Sequence, residues 1–205
     1  FSDQVEALGT TRANETVVIT TDISEKISSI YFDDGQRVKK NDLLVILDKK
    51  EEEADLRAAE ASLAEAQSSY ERAKNLQNTN ALSKATLQER LATLEGARAR
   101  VESIKARIEA LVIRAPFDGI LGLRQFSIGS LVQPGEEITT LDDLSQIKID
   151  FDIPSIYLAT LKTGLPISGT VDAYGDRVFN GAVHTVNTQV DPVTRTVTVR
   201  AILPN

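Results

Sequence analysis

Cysteine, methionine and tryptophan are absent from this sequence, and histidine occurs once in 205 residues. Without cysteine there is no disulfide framework, no thiolate nucleophile and no zinc-finger spacing. One histidine builds no imidazole cluster, and with no sulfur ligand there is no soft site for Cu(I). Positive charge is in the minority: 23 basic against 30 acidic residues give a formal charge of −7. With no basic field to draw phosphates, nucleic-acid binding is disfavoured. The longest aliphatic run, Leu43 to Leu47, falls far short of the roughly 20 residues a membrane span needs. Signal-peptide, GxSxG, P-loop and dinucleotide patterns are likewise missing, so no residue supports an enzyme reading. The chain opens on Phe1 and stops in a strand-like stretch, so it is expected to be an interior piece of a longer protein, with any anchor outside it.

What is present falls into three regimes. Residues 1–48 are rich in β-branched and turn residues, residues 49–110 in Ala, Leu, Glu, Arg, Lys and Gln with one glycine and no proline, and from Ile113 the strand formers return. In the middle regime Leu56, Ala59, Leu63, Ala66, Tyr70 and Ala73 step by 3 and 4, the seam of a coiled coil. The polar run Gln77-Asn78-Thr79-Asn80 predicts a turn. A second series, Leu87, Leu94, Val101 and Ile108, follows at intervals of seven, flanked by Leu91, Ala97, Ile104 and Leu111. Two such helices joined by a short turn run antiparallel, and at up to about 28 residues each would reach roughly 40 Å. The first half carries five basic and seven acidic groups (49–77) and the second six and four (83–110), a modest complementarity.

The outer regimes contain an internal repeat. With an offset of 94 and no gaps, Ile19 to Asp48 aligns with Ile113 to Asp142, matching Phe32 with Phe126, Gly35 with Gly129, Val38 with Val132 and Leu47 with Leu141. The glycines fall in the turns DDGQ and SIGS, where a positive φ is expected. Neither half holds enough strands for a two-sided core, so the two are expected to form one β-sandwich with the helical hairpin inserted between them. Beyond Asp143, IKIDFDIP alternates as a half-buried strand, and VTRTVTVRAIL places Val193, Val197 and Val199 on one face. FSDQVEALGTT reads as a further strand that would help close a small barrel.

This order resembles the periplasmic adaptor proteins, or membrane fusion proteins, of tripartite efflux pumps. ISEKISSIYFDDGQRVKKNDLLVILD and IRAPFDGILGLRQFSIGSLVQPGEEITTLDD are similar to the two halves of that family's lipoyl-like domain. FDIPSIYLATLKTGLPISG and VDPVTRTVTVRAILPN resemble its barrel, particularly in adaptors of resistance-nodulation-division (RND) pumps. The resemblance implies a mixed α and β, elongated multidomain fold: a β-barrel domain (1–15 and 144–205), a split lipoyl-like sandwich (16–48 and 111–143) and an antiparallel α-helical hairpin (49–110). It further implies a non-enzymatic subunit, attached to the inner membrane through a segment outside this chain, that links an inner-membrane RND transporter to an outer-membrane channel in a Gram-negative periplasm. Family resemblance also implies a self-associated ring, hexameric by analogy, and joints near Thr16, Asp48–Lys50, Leu111–Arg114 and Asp143. An adaptor of an ABC or type I secretion exporter, and a coiled-coil scaffold without a transport role, are the alternatives.

Family members that dock on an outer-membrane channel resemble one another in an Arg, Leu, Ser pattern at the hairpin tip, found here as Arg72, Leu76 and Ser83. An arginine offers several donors to carbonyls or a carboxylate, and Leu76 lies off the buried seam as an apolar anchor. The plainer readings are an exposed Arg72, a Leu76 packed at the tip and a Ser83 that only caps the second helix, with Thr86 where a capping box would have Glu. No cofactor or metal site is expected. Lys49 and Lys50 stand where lipoyl domains carry their modified lysine but lead straight into a helix, and Glu51–Glu53 with Asp55 suit a helix N-terminus better than a metal. His184 alternates with Val183 and Val186 and is read as structural.

Overall fold

The computed structural model describes residues 5–78, 83–171, 175 and 177–205. Four strands come first: β1 (Gly9–Ile19), β2 (Glu25–Ile30), β3 (Arg37–Val38) and β4 (Leu43–Leu47). Helices α1 (Lys50–Asn78) and α2 (Lys84–Ala110) follow, then β5 (Val112–Arg114), β6 (Gly119–Leu121) and β7 (Leu131–Val132). The long β8 (Thr139–Pro154) leads through a 3₁₀ turn to β9 (Pro166–Thr170), β10 (Val178–Val190) and β11 (Thr196–Pro204).

The internal repeat is a structural two-fold in which each half lends strands to the other. β2 pairs with β7, Glu25 opposite Val132 and Lys26 opposite Leu131. The equivalent pairing, each residue shifted by 94, joins β6 to β3: Gly119 opposite Val38 and Ile120 opposite Arg37. The turns obey the same operator. Asp42 N–H donates to the Lys39 carbonyl as Glu136 N–H does to Gln133, and Asn41 (φ +71°) matches Gly135 (φ +83°). Gly35 and Gly129 adopt φ of +73° and +87°, the left-handed region that favours glycine. This exchange makes one core of two half-motifs: Ile27, Leu44, Val45 and Leu47 pack with Leu121, Val132, Ile138 and Leu141, all at most 2% exposed. At about 25 cal/mol per Å² of apolar area, such complete burial makes each large side chain worth about 2 kcal/mol or more.

β8 is the shared spine of the molecule. One edge pairs with β1 along its length, and the other pairs first with β6 and then with β11. It therefore passes unbroken through the border expected at 143/144. The ladder slips between Ala13 and Glu15, opposite Ile147 and Asp143, where Asn14 donates its side-chain amide to Asp143 (2.6 Å) and Lys148 reaches the Asn14 carbonyl. Beyond the slip, β1, β8, β11, β10 and β9 make a half-barrel sheet around Ile153, Val183 and Val199.

Two strand expectations are corrected here. The opening strand starts only at Gly9, with Leu8 almost fully exposed, and Phe1–Gln4 lie outside the described residues. Val193 does not join Val197 and Val199 on the inner face. The Asp191 carboxylate accepts the backbone N–H groups of Val193 and Thr194 at 2.7 and 3.0 Å, which turns the chain and leaves Val193 exposed.

Candidate functional site

The hairpin begins where β4 leaves the sandwich. Asp48 accepts the Lys50 N–H at 3.3 Å, and Glu51, Glu52 and Glu53 then occupy the first turn, where the helix dipole favours negative charge. Its return is fixed as firmly: Leu111, which ends α2, is fully buried in the sandwich core, and its carbonyl accepts the Leu47 N–H at 2.9 Å. Both arms are thus tied to one point at the root. The seam is that expected from sequence. Ala59, Ala66 and Ala73 of α1 and Leu94, Val101 and Ile104 of α2 are buried, and Glu60 pairs with Lys105 across the interface at 3.4 Å. Leu91 departs from it, 40% exposed.

At the far end α1 does not stop at Gln77. It continues through Asn78, so the expected turn loses its first two residues to the helix, and Thr79 and Asn80 lie outside the described residues. The last helical turn needs no apolar partner, and Gln and Asn pay little helical penalty beside Gly or Pro. Arg72 and Leu76, four residues apart, lie on one exposed face of this final stretch, with Leu76 half exposed. Ser83 sits at the same end, immediately before α2. It is the N-cap: its hydroxyl accepts the Thr86 N–H at 3.1 Å and lies 2.9 Å from the Thr86 hydroxyl. The plainer reading of Ser83 therefore holds in part, with a threonine hydroxyl standing where a capping box has a carboxylate.

A second polar feature lies on the outer face of the half-barrel, a depression of about 550 Å³ lined by Asn14, Lys148, Asp150, His184, Thr198 and Arg200 among others. Arg200 grips Asp150 with two hydrogen bonds (2.6 and 2.7 Å), and that grip holds the Asp150 carboxyl below the usual carboxylate range. Thr198 donates to Asp152 in the same ladder at 2.7 Å. His184 falls where the β10–β11 register slips, between Val183 opposite Ala201 and Thr185 opposite Arg200; it is exposed rather than packed in the core. Sequence reading missed this cross-strand ladder. Its only signal was the polar half of each alternating strand, which does not say which strands meet.

Among the described residues, no helix is long and apolar enough to cross a membrane. A split sandwich built by exchange, an inserted two-helix hairpin and an attached half-barrel define a membrane-fusion-type architecture. Residues 15–144 match the family described as the RND MFP barrel-sandwich hybrid domain, and residues 146–205 match the CusB-like β-barrel domain. The chain belongs to the RND membrane fusion protein family. It is 33% identical to the efflux pump periplasmic linker BepF of Brucella suis, over 98% of this chain and 55% of that protein. It is 28% identical to the multidrug resistance protein MdtA of Escherichia coli, over 97% and 53%. The fold superposes on a MacA–MexA chimera carrying the Pseudomonas aeruginosa MexA α-hairpin with a TM-score of 0.86 and 27% identity, over 96% of this chain and 73% of that one. The chain spans about half the length of the BepF and MdtA relatives.

Proposed function

We propose that the protein is a periplasmic adaptor subunit that links an inner-membrane RND transporter to an outer-membrane channel for export of small toxic compounds. It works by bridging and sealing, without catalysis, and is held at the inner membrane by a segment outside this chain. The observation that carries the reading is the hairpin, two helices of 29 and 27 residues. They reach about 40 Å from a root locked into the sandwich. A rigid arm of that kind transmits position from its base to its tip, where Arg72, Leu76 and Ser83 meet the channel. The names of BepF and MdtA, an efflux linker and a resistance protein, support this assignment. Residues 16–48 and 111–143 form the lipoyl-like domain that stacks copies into a ring, six by analogy. Residues 1–15 and 144–205 form the barrel domain facing the transporter, and the ladder slip at Asn14 is the joint between the two.

The lack of cysteine offers a clean test. In the full-length protein in its native envelope, Thr79→Cys carries a short thiol cross-linker, with the exposed mid-helix Ser68→Cys as control. Mass spectrometry is expected to identify an outer-membrane channel captured from Thr79→Cys alone, and capture is expected to disappear with Arg72→Asp. Self-capture only, unchanged by Arg72→Asp, would sink the docking reading in favour of a coiled-coil scaffold.

A further inference from the structure

The hairpin tip differs in charge from the rest of the molecule. From Arg72 to Gln88, seventeen residues contain three cations, Arg72, Lys74 and Lys84, and no acidic residue; the other 188 carry 20 basic and 30 acidic groups. All three cations are exposed. Nearer the root, cations and carboxylates are interspersed and four of the cations are paired: Lys49 with Glu53 (3.0 Å), Lys50 with Asp48, Lys105 with Glu60 and Arg98 with Glu95, while among the described residues Arg57, Arg90, Arg100 and Arg107 form no ion pair. Among the described residues none of the three tip cations is in an ion pair. Lys84 also stands against the local rule. α2 opens with this lysine and no acidic residue in its first turn, whereas α1 opens with three glutamates. A cation in the first turn opposes the helix dipole, and such breaks in local consistency concentrate at functional positions.

We propose that the tip docks on an acidic protein surface, a ring or patch of Asp and Glu side chains at the near end of the channel, and that Lys74 and Lys84 act with Arg72 to steer the encounter. This deepens the docking reading and rests on it. A positive tip on a chain of charge −7 orients the approach tip first, because an acidic partner attracts the tip and repels the remainder. Protein fits better than an anionic membrane. Lipid-reading clusters gather about four to eight Lys or Arg beside an apolar face. Here three cations alternate with Asn75, Gln77, Thr86 and Gln88, and among the described residues of the tip Leu76 is the one exposed large apolar side chain, a surface suited to hydrogen bonding with side chains and carbonyls.

The probe is the channel identified by the Thr79→Cys capture, purified and immobilised, with the full-length adaptor flowed over it at 50 and 300 mM NaCl. Lys74→Gln with Lys84→Gln is expected to slow association about tenfold at 50 mM and little at 300 mM, because salt screens steering. Dissociation should change much less. Lys74→Arg with Lys84→Arg should restore the wild-type rate, a rescue that a merely structural role would not show. Wild-type kinetics in the Gln double variant, with capture intact, overturn the acidic-surface proposal and leave docking standing. Absence of any captured channel overturns both; salt-sensitive binding to vesicles of phosphatidylethanolamine and phosphatidylglycerol, 3:1, would then assign the charge to lipid.

Discussion

The sandwich and the hairpin solve the same problem of burying apolar surface in opposite ways. Leu44, Val45, Leu47, Ile138 and Leu141 are fully buried among partners drawn from both halves of the repeat. The hairpin seam is a single row in which alanines alternate with Leu56, Leu63 and Tyr70, none of those three fully buried. A two-helix layer has only one inner stripe, so length is gained at the expense of depth. The sandwich is therefore the part that fixes the fold, and the hairpin the part that depends on its root.

The contrast predicts a graded series of losses. Leu141→Ala, which opens a cavity in the two-sided core, is expected to cost about 3–4 kcal/mol in urea unfolding. Ile104→Ala in the seam should cost about 2 kcal/mol, because the thin interface can relax around the gap, and it should lower helical ellipticity without loosening the sandwich. Equal losses from the two would erase the contrast. Gly35→Ala and Gly129→Ala should each cost about 1 kcal/mol and by similar amounts, since an added Cβ meets no neighbour at either site and only the positive φ resists it. Gly135→Asn is the sharper probe of the two-fold. Asn41 already occupies the equivalent turn at positive φ, so the exchange should be nearly neutral.

A further small effect is expected as a pH dependence in the half-barrel. Arg200 depresses the folded-state pKa of Asp150, so the unfolded chain takes up that proton more readily. The contribution is fully present above the ordinary carboxylate pKa of about 3.9 and fades as pH falls through the folded value. Urea midpoints measured from pH 6 to pH 3 should drop less steeply for Asp150→Asn than for the wild type. Parallel curves would mean that the Arg200 grip adds no stability.

The hairpin and the repeat were legible in the sequence because each rests on local or self-similar spacing. Sevenfold steps reveal a helical stripe wherever it packs, and an offset of 94 survives without knowledge of which strands pair. What stayed hidden was non-local or depended on hydrogen bonds at element ends. The exchange of β3 and β7 between halves, and the meeting of Asp150 with Arg200, require a register that alternation alone does not set. At the tip, polarity was read as a turn although helix continues through Asn78, and the DPVTR turn interrupted an alternation extended one valine too far. Of the three tip residues, the positions of Arg72 and Leu76 on one face followed from helical spacing; the cap made by Ser83 required the Thr86 hydrogen bonds to be seen.

The bond from Leu47 to Leu111 has an evolutionary corollary. Because departure and return meet at one hydrogen bond of 2.9 Å, the sandwich has no record of how far the chain travels in between. Seven residues inserted in α1 and seven in α2 preserve the seam and extend the arm by about 10 Å, leaving the base untouched. Reach is thus a quantity that lineages can lengthen or shorten in matched heptads to suit the gap being bridged, without redesigning the body that carries it.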